Sequence, residues 1–224
     1  MKLKAEKIGR MYFRSSKSTN YFYAVESLDF ELTEGHITAV TGRSGSGKTT
    51  FINMLGGLLT PTDGRVLLDE TDIYSLFDRE RSLIRNRHFG IISQGQTGLQ
   101  SLTVLENVML PASMYGSGNE KKERAEMLLE KLGISDLGEV YSNELSGGEL
   151  RRMSVARALI NEPEIIIADE PTADLDADTT VLVMDLLKDC AKNGASVLLV
   201  THDKDVLPYA DIVLTMEKGV LNRS

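Results

Sequence analysis

The chain has 224 residues, 42% of them hydrophobic, and a formal net charge of −8, which is enough for a sizeable core in one large domain or two small ones. No lysine- or arginine-rich block offsets the acidity, so nothing in the balance suggests a nucleic-acid footprint. Neither a signal-like leader nor a run approaching about 18 apolar residues is present, and the chain is expected neither to enter nor to span a membrane by itself.

In chain order, residues 3–13 and 22–32 are rich in β-branched and aromatic side chains and flank a polar stretch, 14–20, which predicts two strands and a loop. Glu34-Gly35 turns the chain into a strand over 36–41, and a helix is expected from the next glycine loop to about residue 59. The turn Thr60-Pro61-Thr62-Asp63-Gly64 leads to an alternating strand at 64–69, followed by a short basic helix over 79–87 and a strand over 89–93. From 94 to 145 the spacing is helical with no convincing strand, which reads as a helical arm whose second helix is closed by Gly133. A further helix over 150–161 ends at Glu162-Pro163. Apolar strands at 164–168 and 196–200, with a helix over 178–192 between them, indicate a parallel sheet covered on both faces. The remaining residues read as a short helix, a strand over 212–216, a turn at Lys218-Gly219 and an edge strand. Cys190, the single cysteine, cannot form an internal disulfide and reads as a buried structural thiol in a reducing compartment.

Three segments carry chemistry. Gly42-Arg43-Ser44-Gly45-Ser46-Gly47-Lys48-Thr49 lies between a strand and the helix starting Thr50-Phe51, the context that a phosphate-binding GxxxxGK[ST] loop demands. Its glycines let successive N–H groups converge on one point at a helix N-terminus. Lys48 would then reach the β- and γ-phosphates, and the Thr49 hydroxyl would ligate Mg²⁺. Asp169-Glu170 places two carboxylates at the C-terminal tip of a buried strand, the edge where open α/β sheets bind ligands. Asp169 would hold the metal and Glu170 would polarise an attacking water; otherwise the pair caps the next turn. Leu145-Ser146-Gly147-Gly148-Glu149 gathers a hydroxyl and two glycine N–H groups at another helix N-terminus, either a second phosphate cradle serving a nucleotide held by another subunit or a plain serine cap.

With these segments in hand the chain resembles, over essentially its whole length, the ATP-binding subunit of ATP-binding-cassette (ABC) transporters. Gly42 to Thr49 resembles Walker A, Gln94 the Q-loop glutamine, and Leu145 to Glu149 the LSGGQ signature. Residues 165–170 resemble Walker B, Asp174 and Asp176 lie in a D-loop-like Ala173-Asp174-Leu175-Asp176, and His202 resembles the switch histidine. The resemblance implies an α/β P-loop NTPase of ABC type: a mixed or parallel sheet core with an antiparallel β subdomain and a helical arm. Within a single domain, 1–93 and 161–224 would form the core and 94–160 the helical subdomain. It further implies ATP and Mg²⁺ as ligands, with Thr49, Gln94 and Asp169 at the metal and Glu170 and His202 catalytic. Thr50 and an adenine-stacking aromatic, Tyr12 or else Phe13, would complete the nucleotide site. Two copies would close head to tail on ATP, each signature facing the partner's nucleotide. His36 and His88 have no motif partners and read as structural. Glu149 departs from the usual signature glutamine, Arg43 adds a cation inside the loop, Gly95 stands where an aromatic is common, and Gln96 could share the role of Gln94.

The extended loop before Ala24-Val25, the stretch from Gln94 to Pro111 and the Ala156-Arg157-Ala158-Leu159 run are similar to the MacB/LolD/FtsE group. This similarity implies a bacterial protein on the cytoplasmic face of the inner membrane, partnered by a permease with a large extracytoplasmic domain and not by nucleic acid. Export, extraction or mechanotransmission would be the function, with FtsE-like control of a cell-wall hydrolase as the alternative and a soluble ABC ATPase acting on nucleic acid or ribosomes a more distant one. Leu99, Leu102, Val104 and Leu105 are expected either to line a groove for a permease helix or to pack the arm's own core.

Overall fold

The protein is described from a computed structural model covering residues 1–13, 21–95, 98–116 and 119–223, without the side chain of Asn119. The polar loop at 14–20 and Gln96 lie outside the described residues.

Strands β1 (Leu3–Phe13) and β2 (Tyr21–Glu31) pair antiparallel, and β1 also pairs with β4 (Asp63–Leu68), which carries the two-residue β5 (Thr71–Asp72). This gives a four-stranded sheet in the order β2-β1-β4-β5. The second sheet runs β10-β9-β3-β8-β7-β6, formed by β3 (Ile37–Thr41), β6 (Phe89–Ile92), β7 (Ile165–Asp169), β8 (Ser196–Val200), β9 (Ile212–Glu217) and β10 (Val220–Arg223). It is parallel except for the β9-β10 edge hairpin.

The helices are α1 (Lys48–Leu55), α2 (Asp78–His88), α3 (Val104–Ser113), α4 (Lys122–Lys131), α5 (Gly147–Leu159) and α6 (Ala177–Lys192). Helix α1 ends earlier than the sequence predicts because Gly56-Gly57 follow it, Gly57 at φ 70°, a conformation that stops a helix.

Alternation along the parallel strands divides the core in two. Ile166, Ala168, Val197 and Leu199 face a cluster completed by α5, α6 and the arm helices. Ile165, Ile167, Leu198 and Val200 face the other cluster, which α1 and the antiparallel sheet complete. The sheet is therefore covered on both faces, the second cover being part helix and part sheet. Phe51 of α1 is fully buried there and meets Phe30 of β2 edge-on at 5.2 Å, a pairing worth about 0.5–1.5 kcal/mol beyond area burial. Tyr74 ties the same region together, its hydroxyl 2.7 Å from both the Met54 and Leu59 carbonyls.

Helix α5 packs against α3, α4 and β6 and buries Arg151, Met153, Ser154, Val155, Ala156 and Leu159. The arm therefore shares one continuous core with the sheet. Val104 is fully buried and Leu105 packs on that core, whereas Leu99 is exposed; of the four residues weighed for docking, these two α3 side chains belong to the arm's interior. Cys190 is half-buried, and burial pushes its thiol pKa up.

Candidate functional site

The loop after β3 is fixed by close backbone approaches that only glycine permits. Gly42 adopts φ 143° and Gly47 φ 107°; a Cβ would stand 2.3 Å from the Met216 carbonyl oxygen at the first and 2.0 Å from that of Ala24 at the second. The β9-β10 turn seals the arrangement, since Gly219 N–H donates to the Ser46 carbonyl and the Gly219 carbonyl accepts from Glu26 N–H, each at 2.9 Å. With Gly47 as N-cap and no acidic residue in its first turn, α1 opens as an anion-suited N-terminus. Lys48 Nζ donates to the Gly42 and Arg43 carbonyls at 2.8 and 3.0 Å, which holds its ammonium at the loop. Ser46 is buried, and its hydroxyl has no protein partner among the described residues.

Thr49, on the first turn of α1, donates from Oγ1 to Asp169 Oδ2 at 2.8 Å. Asp169 ends β7 almost fully buried; desolvation holds its carboxyl above the ordinary aspartate range, with the Thr49 donation opposing the shift and Glu170 adding to it. Glu170 follows at φ 52°, an unusual conformation for a non-glycine residue, pinned by its N–H to the Val200 carbonyl at 2.9 Å. Its Oε1 lies 2.7 Å from His202 Nδ1, and that hydrogen bond, with the carboxylate's charge, raises the His202 pKa. A cleft of about 530 Å³ is lined by residues of the 42–50 loop (Gly42, Arg43, Ser44, Gly45, Gly47, Lys48, Thr49, Thr50) together with Gln94, Asp169, Glu170 and His202. Residues 145–149 do not line it.

The signature segment starts its helix earlier than expected: Gly147 and Gly148 are the first helical residues and Ser146 is the N-cap. Ser146 N and Oγ both donate to Glu149 Oε2 at 2.7 Å. This reciprocal cap gives Glu149 a structural role and holds its carboxyl below the usual range. Leu145 packs at the core margin. Asp174 sits at φ 65°, its carbonyl near Gly148, while Asp176 caps α6 by accepting from Thr179 N–H at 2.7 Å, so that carboxylate is engaged within its own helix. Tyr12 is half-buried, its ring stacked on Phe22 at 5.9 Å with the Arg10 guanidinium 4.9 Å from its centroid; Phe13 is 63% exposed. His36 bonds to the nearby Glu34 carbonyl at 2.8 Å, and His88 to the Glu164 carboxylate at 3.0 Å.

Two polar residues that sequence reasoning passed over shape the surroundings. Arg151 of α5, 3% exposed, donates to the Ser93 and Gln94 carbonyls at 2.7 Å each. Asn107 of α3, fully buried, accepts from Leu99 N–H and donates to the carbonyls of Leu99, Leu102 and Thr103, so it folds the segment that follows Gln94. A polar side chain in the buried stripe of each helix is the signal that could have found them.

The doubled sheet, the phosphate loop and the carboxylates at the strand tips define a P-loop ATPase of the cassette type. Residues 25–173 match the family described as "ABC transporter", and the chain belongs to that family as an ATP-binding subunit that binds nucleotide. It is 38% identical over 211 residues to the "Uncharacterized ABC transporter ATP-binding protein YknY" of Bacillus subtilis, covering 94% of this chain and 91% of that one. The "Lipoprotein-releasing system ATP-binding protein LolD" of Saccharophagus degradans is 39% identical, covering 89% of this chain and 88% of the relative. The "Macrolide export ATP-binding/permease protein MacB" of Campylobacter fetus is 38% identical over 97% of this chain but only 34% of its own length. In structure, the dimeric bacterial ABC transporter cassette MJ0796 superposes with a TM-score of 0.91 at 33% identity, over 99% of this chain and 98% of that one. A second MJ0796 structure, a post-hydrolysis dimer bound to ADP and Pi, matches equally well.

Proposed function

We propose that two copies of this chain close head to tail on two ATP molecules and that the closure drives a MacB- or LolD-type membrane permease from the cytoplasmic face of a bacterial inner membrane. The observation that carries this reading is the cleft, which gathers the Walker A loop, Gln94, Asp169, Glu170 and His202 but no residue of the signature. A signature with an N-terminal hydroxyl and no phosphate of its own is accounted for if it serves the partner's nucleotide, and the dimeric state of the MJ0796 cassette supports that arrangement.

The loop amides and Lys48 hold the β- and γ-phosphates, the Ser46 hydroxyl supplies one more donor, and Tyr12 or the more exposed Phe13 stacks on adenine. Thr49 Oγ1, an Asp169 carboxylate oxygen and the Gln94 side-chain oxygen form a hard-oxygen donor set that fits Mg²⁺, and this ion would neutralise charge on the phosphates. Glu170 then takes a proton from the water attacking the γ-phosphorus. Its Oε1 is engaged by His202, which leaves Oε2 for that proton, while the His202 ring stands 76% exposed to meet the γ-phosphate. Residues 94–160 act as the arm that carries the signature, and Asp174 faces the partner. The permease is received on the surface beside Gln94, where Leu99 of the segment that follows it is exposed.

The test is a pair of variants assayed for ATP turnover and for assembly. Lys48→Ala abolishes turnover and weakens nucleotide binding. Glu170→Gln retains binding, accumulates the ATP-bound dimer on size exclusion, and loses about 10²–10⁴-fold in kcat. Wild-type turnover in Lys48→Ala, or only monomer for Glu170→Gln at saturating ATP, would overturn the reading.

A further inference from the structure

Arg151 is a charged side chain in an unexpected place. It lies on α5, two residues beyond the signature, and is 3% exposed. Its two terminal nitrogens reach consecutive carbonyls, Ser93 and Gln94, at 2.7 Å each. Two parallel bonds from a planar fork fix orientation as well as distance. Desolvation lowers the Arg151 pKa, and the carboxylates of Asp174, Asp169 and Glu170 oppose that shift through space. A guanidinium buried against backbone carbonyls is costly to desolvate, and packing alone would be served as well by an apolar side chain.

What the fork holds is the backbone of the Q-loop, while the Gln94 side chain itself stays exposed and lines the nucleotide cleft. What it is anchored to is the first part of the helix that Ser146 caps. The same first turn is flanked by the D-loop, whose Asp174 carbonyl and Leu175 side chain approach Gly148. Arg151 therefore joins the segment that lines this chain's own nucleotide cleft to the segment that does not.

We propose that Arg151 is a positioning residue that sets the Q-loop backbone from the signature helix, so that seating the signature on a partner's nucleotide places Gln94 in this chain's own site. The inference rests on the roles given above to Gln94 and the signature. It predicts that a loss at Arg151 acts through Gln94 and nowhere else.

The experiment is a series at position 151 crossed with Gln94→Ala, following steady-state ATP turnover and binding of a fluorescent ATP analogue. Arg151→Met should lower kcat by about 10–100-fold, the range for losing hydrogen bonds from a charged group, with KM and analogue affinity within about threefold of wild type. Arg151→Lys, which keeps charge and donors, should recover most of the rate, and Arg151→Gln should fall between. Should the Met variant not fold, the Gln variant carries the test. In the Gln94→Ala background the Arg151 substitutions should cost less than about twofold further, because the two residues act as one unit. Wild-type kcat in both Arg151→Met and Arg151→Gln, or losses that multiply fully with that of Gln94→Ala, would overturn the proposal. A Gln94→Ala variant with undiminished kcat would instead sink the role of the Q-loop glutamine, and the positioning role would fall with it.

Discussion

Asp169→Asn should make the nucleotide-free protein more stable while disabling it. Asp169 is 4% exposed, and burial raises its carboxyl pKa, so the folded chain binds that proton more tightly than the unfolded one. The contribution of this group to stability is then greatest in acid, below about pH 4 where both states are protonated, and declines as pH rises through the folded-state pKa. Once it ionises, the folded chain carries the cost of a desolvated carboxylate. Asparagine keeps the shape, can still accept from Thr49, and removes the charge. Relieving a functional site in this way returns about 0.5–2 kcal/mol, and a domain of this size gains about 2–4 °C per kcal/mol. The variant should therefore melt roughly 1–8 °C above wild type at pH 7, a gap that opens as pH rises from about 4. Mg²⁺ and ATP should reverse the order: at about 100 times its Kd a ligand adds roughly 2.7 kcal/mol to the chain that binds it, and only wild type keeps the carboxylate. Scanning calorimetry across pH, with and without Mg²⁺ and ATP, reads both effects. An Asn variant that melts at or below wild type without nucleotide, or a gap that narrows as pH rises, would refute the reasoning.

Tyr74→Phe removes the half-buried hydroxyl that lies 2.7 Å from the Met54 and Leu59 carbonyls, at a cost of about 0.5–1.5 kcal/mol; calorimetry should show a lower Tm with ATP turnover per folded molecule unchanged. Glu170→Gln should lower the His202 pKa toward the ordinary value of about 6.5, read directly by NMR titration of the three histidines. The sign follows from the raised native pKa: what the pair adds to stability is present below about pH 6.5 and lost as pH rises through the folded-state value. An unchanged His202 titration would mean that the 2.7 Å contact does not form in solution.

The motif segments of the cleft were legible because each is local: a glycine loop between strand and helix, and two acids at the tip of an apolar strand. The start of α5 was displaced because Gly147-Gly148, poor helix formers, read as loop, although Ser146 and Glu149 already stood at capping-box spacing. That spacing explains why glutamate suits the fifth signature position. Asp176 reads as a D-loop acid by resemblance, and one of its carboxylate oxygens also caps α6. β5 escaped notice since two residues show no periodicity. Arg151 and the Ser93 and Gln94 carbonyls lie more than fifty residues apart, and so do Gly42 and Met216; no pattern along the chain reveals contacts that only the folded topology creates.

The glycine contacts of the phosphate loop have a consequence for the order of assembly. The loop is wedged between a carbonyl of β2 and a carbonyl of β9, and the turn at Gly219 is hydrogen-bonded to both Ser46 and Glu26. Its shape thus depends on a strand that lies some 170 residues further along the chain. A nascent chain that has finished the motif still lacks one wall of the cradle. The phosphate loop therefore reaches its final shape only when the far edge of the sheet has been laid down.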